Sequence, residues 1–234
     1  MLIYGRAFSF FLSLLIPFFL TRILVKEDYG SYQQLIMIYT IVQAILIFGM
    51  PQSLLYYFPR KETHEHPLLI KQTWTILLFS SLMVMAIFWL SSQIIGTHHL
   101  KEYLVLLGIY TSLMIFVMPI QNLLTLEGKI STAMWLMVFF TIIDLAVLPS
   151  AAWLNPTTLG IVHGIIVAAL LKAIMVLFHV YTTYFTKEIS GNSYIKEQLA
   201  YGIPVGLTAM VYVINVNVDK YLVGLFFSSS VFAV

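Results

Sequence analysis

The stretch ISTAMWLMVFFTIIDLAVLPSAAW, residues 130–153, is almost entirely apolar and carries one ionisable residue, Asp144. Comparable apolar blocks of about 18 to 25 residues recur along the chain, and this is the length that a helix needs to cross a bilayer. Of the 234 residues, 60% are hydrophobic and 9% are charged, whereas soluble domains carry about 25% charged residues. The composition therefore predicts an integral membrane protein.

The spanning segments are predicted to be helices. Peptide groups inside a bilayer must be hydrogen-bonded within the protein, which leaves only helices and closed barrels as spanning structures. The apolar blocks are long and continuous and do not show the alternation of barrel strands. The sequence thus predicts an all-α protein with about seven transmembrane helices. We expect them near residues 5–25, 33–57, 71–95, 102–126, 130–153, 159–185 and 201–227.

Basic residues fall unevenly between the two sides of these spans, which predicts a cytoplasmic N-terminus. The first span is expected to be retained, because no small-residue cleavage pattern follows it. The net charge of +2 is too small to suggest binding of nucleic acid. The predicted inner side receives Arg6, Arg60, Lys61, Lys71, Lys129, Lys187 and Lys196, and the outer side receives Arg22, Lys26 and Lys101.

Two charged residues lie deep in the fifth and sixth spans. Counted from the turn between these spans, Asp144 is about ten residues deep and Lys172 about thirteen, so their depths differ by only about 5 Å. Antiparallel neighbouring helices would allow them to pair. Such a pair either fixes helix packing or lines a transport pathway, and the sequence leaves both interpretations open.

The seventh span carries a polar stripe. Thr208, Tyr212, Asn215 and Asp219 are spaced by four, three and four residues, which places them on one helical face. Because an ionisable group in a membrane costs at least about 2.5 kcal/mol, we expect this face to look into a bundle or a hydrated cavity. The alternative for Asp219 is a position at the outer interface, where water reaches it.

Other polar residues in the spans favour helix contacts. Gln43 in the second span, and the neighbouring pair Gln121 and Asn122 in the fourth, are typical of residues that form hydrogen bonds between helices. His64 and His66 lack a third ligand at metal-binding spacing, and we find no Gly-rich phosphate loop or nucleophile elbow. We therefore predict no metal, no cofactor and no enzymatic activity. Kinks are expected at the prolines of the spans, which are Pro17, Pro51, Pro119, Pro149 and Pro204.

A weak internal repeat relates the first and seventh spans. YGRAFSF at 4–10 and TRILV at 21–25 correspond to YGIPVGL at 201–207 and DKYLV at 219–223. Repeated halves are typical of transporters. We predict that residues 1–190 form a six-helix lobe, and that residues 191–234 supply the linker and first helix of a second lobe that lies mostly beyond this sequence.

Three segments resemble the polysaccharide-transport, or oligosaccharide flippase, family. They are LLIPFFLTRILVKEDYGSYQQL at 14–35, GMPQSLLYYFPR at 49–60 and the segment from YGIPVGL onward at 201–234. That family belongs to the multidrug, oligosaccharidyl-lipid and polysaccharide exporter superfamily. Within the family, the segments look most like flippases of lipopolysaccharide O-antigen units.

The resemblance implies a MATE-like transporter of two six-helix lobes in the inner (plasma) membrane. It would move an undecaprenyl-diphosphate-linked oligosaccharide by alternating access, surrounded by membrane lipids and working with a polysaccharide polymerase and glycosyltransferases. On this view, Arg22 and Lys172 attract the diphosphate, Gln43, Tyr212 and Asn215 contact sugar hydroxyls, and Asp144 and Asp219 hold the cations or couple an ion.

Three other functions compete with this one. A drug or cation exporter on the same scaffold would need a net acidic cavity, whereas the acids and cations in the spans are about balanced. A membrane glycosyltransferase or polymerase would need a carboxylate cluster or a large polar loop. A noncatalytic membrane assembly subunit would use the polar stripes only as helix contacts.

Overall fold

The computed structural model of the chain describes residues 2–94, 101–186, 193–219 and 222. Within these ranges the protein is all helical, which confirms the predicted fold class. A 3-10 turn at Phe58–Arg60 follows α3, and a π-helical turn at Tyr181–Phe185 extends α8. The helices are α1 (Leu2–Ile23), α2 (Lys26–Leu46), α3 (Met50–Tyr57), α4 (His66–Ile94), α5 (Lys101–Val117), α6 (Ile120–Leu126), α7 (Ile130–Leu154), α8 (Thr158–Val180) and α9 (Ile195–Val216).

Six segments of the described ranges are long and apolar enough to cross a membrane. One of them combines α5 with α6, and another combines α8 with its π-helical turn. The bent pair of α2 and α3 makes a seventh span if it is counted as one. This is the architecture of a multi-pass membrane protein, while the cytoplasmic N-terminus stays a prediction.

The second predicted span, residues 33–57, is broken rather than continuous. α2 and α3 meet at 41°, because Phe48 and Gly49 adopt left-handed backbone conformations with φ of 51° and 60°. A non-glycine residue rarely takes this conformation. The carbonyl of Leu46, freed at the end of α2, accepts a hydrogen bond from the Ser80 hydroxyl of α4. A neighbouring helix thus satisfies the broken end, as a membrane requires.

Only two of the five prolines expected to kink a span lie at a helix break. Pro51 lies in the first turn of α3, and Pro119 stands between α5 and α6. Pro17, Pro149 and Pro204 lie inside α1, α7 and α9. Because α3 packs against α6, the two breaks bring the short helices α3 and α6 together.

The long helices pack in a row, with α1 along α7, α7 along α8, α8 along α5, and α5 along α4. Asp28 in the first turn of α2 fixes the start of α8, since its Oδ1 accepts from Thr158 N at 2.8 Å and from Thr158 Oγ1 at 2.6 Å. α9 packs against α2, α3 and α4. The division into lobes at residue 190 stays a prediction.

Candidate functional site

A cavity of about 290 Å³ lies where the broken α2–α3 span and the turn at Pro119 between α5 and α6 meet α9. Its walls come from the α2–α3 break, from the α5–α6 break, and from Gly206 and Ala209 of α9. The remaining lining residues are apolar or small, and none of the residues that line the cavity is charged. Its polar side chains are the four carboxamides of Gln43, Gln52, Gln121 and Asn122, which we call the carboxamide cavity.

The helix breaks place these carboxamides. Gln43 lies in the last turn of α2, and Gln52 lies in the first turn of α3, directly after Pro51. Gln121 and Asn122 lie in the first turn of α6, directly after the break at Pro119. Each carboxamide therefore lies within one helical turn of a break, so the same local sequences that interrupt the spans also supply the polar lining.

Gln43 keeps unused hydrogen-bonding capacity in this cavity. Its side chain is 7% exposed and faces the Tyr39 hydroxyl at hydrogen-bonding range, but Nε2 makes no hydrogen bond of good geometry to a described residue. Leaving such a buried group unpaired costs about 1–3 kcal/mol. The site thus carries a polar group that helix packing alone does not satisfy.

α9 approaches the α2–α3 break through two glycines. A Cβ atom on Gly202 would lie 2.5 Å from the Phe48 carbonyl oxygen, and one on Gly206 would lie 2.9 Å from Gly49 N. Beside this contact, the rings of Tyr56 and Tyr201 stack with centroids 4.3 Å apart. One edge of the cavity is therefore a contact between backbones that leaves no room for a side chain.

The structure brings Asp144 and Lys172 together. The Lys172 ammonium donates to Asp144 Oδ1 at 2.5 Å, and the lysine side chain is 7% exposed while the aspartate side chain is 31% exposed. Lys172 Nζ also lies 5.8 Å from the centre of the Phe140 ring. The two charges form a buried ion pair between α7 and α8, as their predicted depths allow.

Arg22, the other predicted cation, lies apart from this pair. It is exposed at the end of α1, with its guanidinium 4.0 Å from the centre of the Phe18 ring. Leu20 at that end of α1 and Ile161 near the start of α8 belong to the same buried cluster. Lys172 lies fourteen residues along α8, which is about 20 Å from its start. The structure therefore does not join the two cations into one site.

The predicted polar stripe does not line the carboxamide cavity, and its last residue, Asp219, lies beyond the end of α9 at Val216. Thr208, Tyr212, Asn215 and Asp219 are all exposed, whereas α9 contacts α2 and α3 through its buried glycine face. Residues 220, 221 and 223 of the DKYLV motif lie outside the described residues. The partner of the stripe thus stays a prediction.

A third polar cluster fixes the start of α9 at the predicted cytoplasmic end. The buried Tyr194 donates its hydroxyl to Glu65 Oε1, and its backbone N–H donates to Gln72 Oε1 at 2.8 Å. The hydrogen bond from Tyr194, with a second from Glu62 N–H, holds the pKa of Glu65 below its ordinary value. The same bond to Glu65 raises the pKa of Tyr194. We call Tyr194, Glu65 and Gln72 the α9 anchor.

Sequence reasoning missed Gln52 and the glycine contact, and it assigned Gln121 and Asn122 to helix packing. The glycines had a signal, because GIPVG at 202–206 has the spacing of small residues that lets two helices approach closely. The sequence signal for Gln52 was weaker: this residue directly follows Pro51, a proline expected to kink a predicted span. The described residues contain no group of three side chains that could hold a metal ion.

One comparison with known proteins gives a match. A family model described as "Polysaccharide biosynthesis protein" matches residues 1–234, the whole length of the sequence. No curated protein and no solved structure matches the chain significantly.

Proposed function

The chain belongs to the polysaccharide biosynthesis protein family, and from this premise we propose that it moves an undecaprenyl-diphosphate-linked oligosaccharide across the cytoplasmic membrane. A diphosphate and a sugar chain are too polar to cross hydrocarbon without a protein pathway. The proposal includes a second lobe, a MATE-like arrangement of the two lobes and alternating access between them. It also includes a role in assembling lipopolysaccharide O-antigen units or a similar surface polysaccharide.

The carboxamide cavity is the observation that carries this function. Transporters commonly bind their substrates where spanning helices are interrupted. Here the broken α2–α3 span and the turn at Pro119 of the α5–α6 span meet α9, and the buried Gln43 amide makes no hydrogen bond of good geometry at that point. Such a place inside apolar helices suits a polar cargo.

The charged residues are proposed to act on the diphosphate and the coupling ion. Arg22 is exposed and would attract the diphosphate at the outer end of the lobe. Lys172 is held by Asp144 in this conformation, so it would have to exchange that carboxylate for the diphosphate. Asp219 would balance a cation or bind an ion, and Tyr212 and Asn215 would contact sugar hydroxyls from the exposed face of α9.

Two rival functions fit the site less well. A drug or cation exporter would need acidic residues around its cavity, but every residue that lines this one is uncharged. A noncatalytic assembly subunit would need its amides only as helix contacts, whereas the side chains of Gln52, Gln121 and Asn122 make no hydrogen bond to a described residue. Both rivals make different predictions in cells.

The test is deletion of the gene followed by complementation with the full-length sequence. Cells without the protein should accumulate lipid-linked oligosaccharide in the inner leaflet and lose surface polysaccharide, and the wild-type gene should reverse both. An assembly subunit would leave that intermediate at its normal level. Arg22→Ala tests the exposed cation. Undiminished surface polysaccharide at normal protein level would remove Arg22 from the mechanism.

A further inference from the structure

We propose that the carboxamide cavity binds one uncharged sugar unit of the lipid-linked oligosaccharide, while the diphosphate lies outside the cavity. This proposal rests on the proposed function. Each carboxamide offers two N–H donors and one carbonyl acceptor. Four of them in one cavity match the hydroxyls and ring oxygen of a sugar. An acyl chain would use none of these groups.

The absence of charge from the lining decides which part of the cargo fits. A diphosphate is bound by cationic side chains or by several backbone N–H groups. None of the residues that line the cavity is Lys, Arg or His, and Pro51 removes one N–H from the first turn of α3. The volume of about 290 Å³ is near the lower end of ligand pockets, which suits one sugar ring rather than a chain.

The other glutamines of the lobe show that these amides are not ordinary helix contacts. Gln72 accepts from Tyr194 N at 2.8 Å, Gln198 donates to Thr73 Oγ1 at 3.1 Å, and Gln33 donates to the Tyr29 hydroxyl at 2.7 Å. The side chains of Gln52, Gln121 and Asn122 form no such bond within the described ranges. Gln72 and Gln198 thus fix α4 to the start of α9, although Gln198 Oε1 has no partner, and Gln33 bonds within α2. Gln52, Gln121 and Asn122 keep all their donors available.

Thiol labelling tests the site directly, because these 234 residues contain no cysteine, and any cysteine elsewhere in the full-length protein is first replaced by serine. Ala209→Cys places a thiol on the cavity wall, and Gln93→Cys places one on an exposed position of α4 outside it. The full-length protein is reconstituted in lipid nanodiscs and labelled with a hydrophilic maleimide. The two probes are undecaprenyl diphosphate carrying one N-acetylglucosamine and undecaprenyl diphosphate alone.

We expect the sugar-bearing lipid to slow labelling of Ala209→Cys and the bare lipid to leave it unchanged. Neither probe should affect Gln93→Cys. Adding Gln121→Leu to Ala209→Cys should raise the concentration needed for protection about two- to tenfold, the effect of losing hydrogen bonds to an uncharged ligand.

Equal protection by the bare lipid would overturn the sugar site, because the diphosphate or lipid would then be the occupant. The sugar site would also be overturned if neither probe slowed labelling of Ala209→Cys while this variant still restored surface polysaccharide in deletion cells. Failure of the wild-type gene to clear the accumulated intermediate would instead contradict the proposed function. The two failures are therefore measured separately.

Discussion

Among the described spanning helices, the Asp144–Lys172 pair and the carboxamide cavity differ in whether their polar atoms are paired. Asp144 and Lys172 bond to each other through one short charged hydrogen bond, and the lysine side chain is 7% exposed. The carboxamide cavity is uncharged, and its amides make no hydrogen bond of good geometry to a described residue. From sequence, both are simply polar residues at membrane depth.

The difference indicates how a polar residue that packs helices can be told from one that binds a ligand. The criterion is whether its polar atoms are hydrogen-bonded within the protein, rather than how deep it lies in the membrane. A buried ion pair contributes little net stability, yet removing one partner is costly because the other charge stays behind. An unpaired amide gives the opposite expectation, since replacing it with an apolar residue removes an unsatisfied group. Each site can therefore be recognised by how stability responds to substitution.

The largest effect is expected at the ion pair. Lys172→Ala leaves the Asp144 carboxylate partly buried without its counter-ion, so it should lower the free energy of unfolding by about 3–5 kcal/mol. Chemical unfolding in detergent micelles measures this change. Arg22→Ala is the matched control, and losing its exposed contact with Phe18 should cost about 0.5–1 kcal/mol.

The double change Asp144→Asn with Lys172→Gln sharpens this prediction. Because no charge is left buried, the double variant should be more stable than Lys172→Ala. A double variant no better than either single change would show that the two residues do not act as a pair. The cation would then be free for another task.

The next largest loss of stability is expected where Gly202 of α9 contacts the α2–α3 break. A methyl group at Gly202 would lie 2.5 Å from the Phe48 carbonyl oxygen and 2.6 Å from Met50 Cε. Since a backbone atom cannot turn aside as a side chain does, Gly202→Ala should push α9 away and cost about 1–3 kcal/mol. Unchanged stability in the same unfolding assay would mean that α9 is not held at this contact.

The apolar blocks and their lengths are enough to predict the helical class, and the predicted seven spans compare with six in the described ranges, or seven when the bent α2–α3 pair is counted. Depth counting is enough to place Asp144 opposite Lys172, because rigid helices of known rise carry that information. The break at Phe48 and Gly49 was not predictable, since it depends on a left-handed phenylalanine and on a serine from α4. The cavity was missed for the same reason, because its amides converge only after two spans are broken.

Replacing a glutamine with leucine at a paired position and at a cavity position tests whether the two kinds of amide differ. Gln72→Leu removes the acceptor of the buried Tyr194 N–H and should cost about 1–2 kcal/mol of stability. Gln121→Leu removes no hydrogen bond to a described residue, so stability should be unchanged or slightly higher while surface polysaccharide falls. Equal losses of stability in the two variants would show that the cavity amides also serve packing.

The smallest effect is expected from pH at the Tyr194–Glu65 hydrogen bond of the α9 anchor, whose two residues lie just outside the spans. The pKa of Glu65 is lowered in the folded protein by the Tyr194 hydroxyl and by Glu62 N–H. A lowered carboxyl pKa stabilises the fold above the ordinary value of 4.5 and loses this contribution as pH falls through the folded value. Tyr194→Phe should therefore have a lower Tm than wild type at neutral pH, and the gap should narrow as the pH falls below 4.5. A gap that stays constant into acid would show that the Glu65 charge does not hold α9 in place.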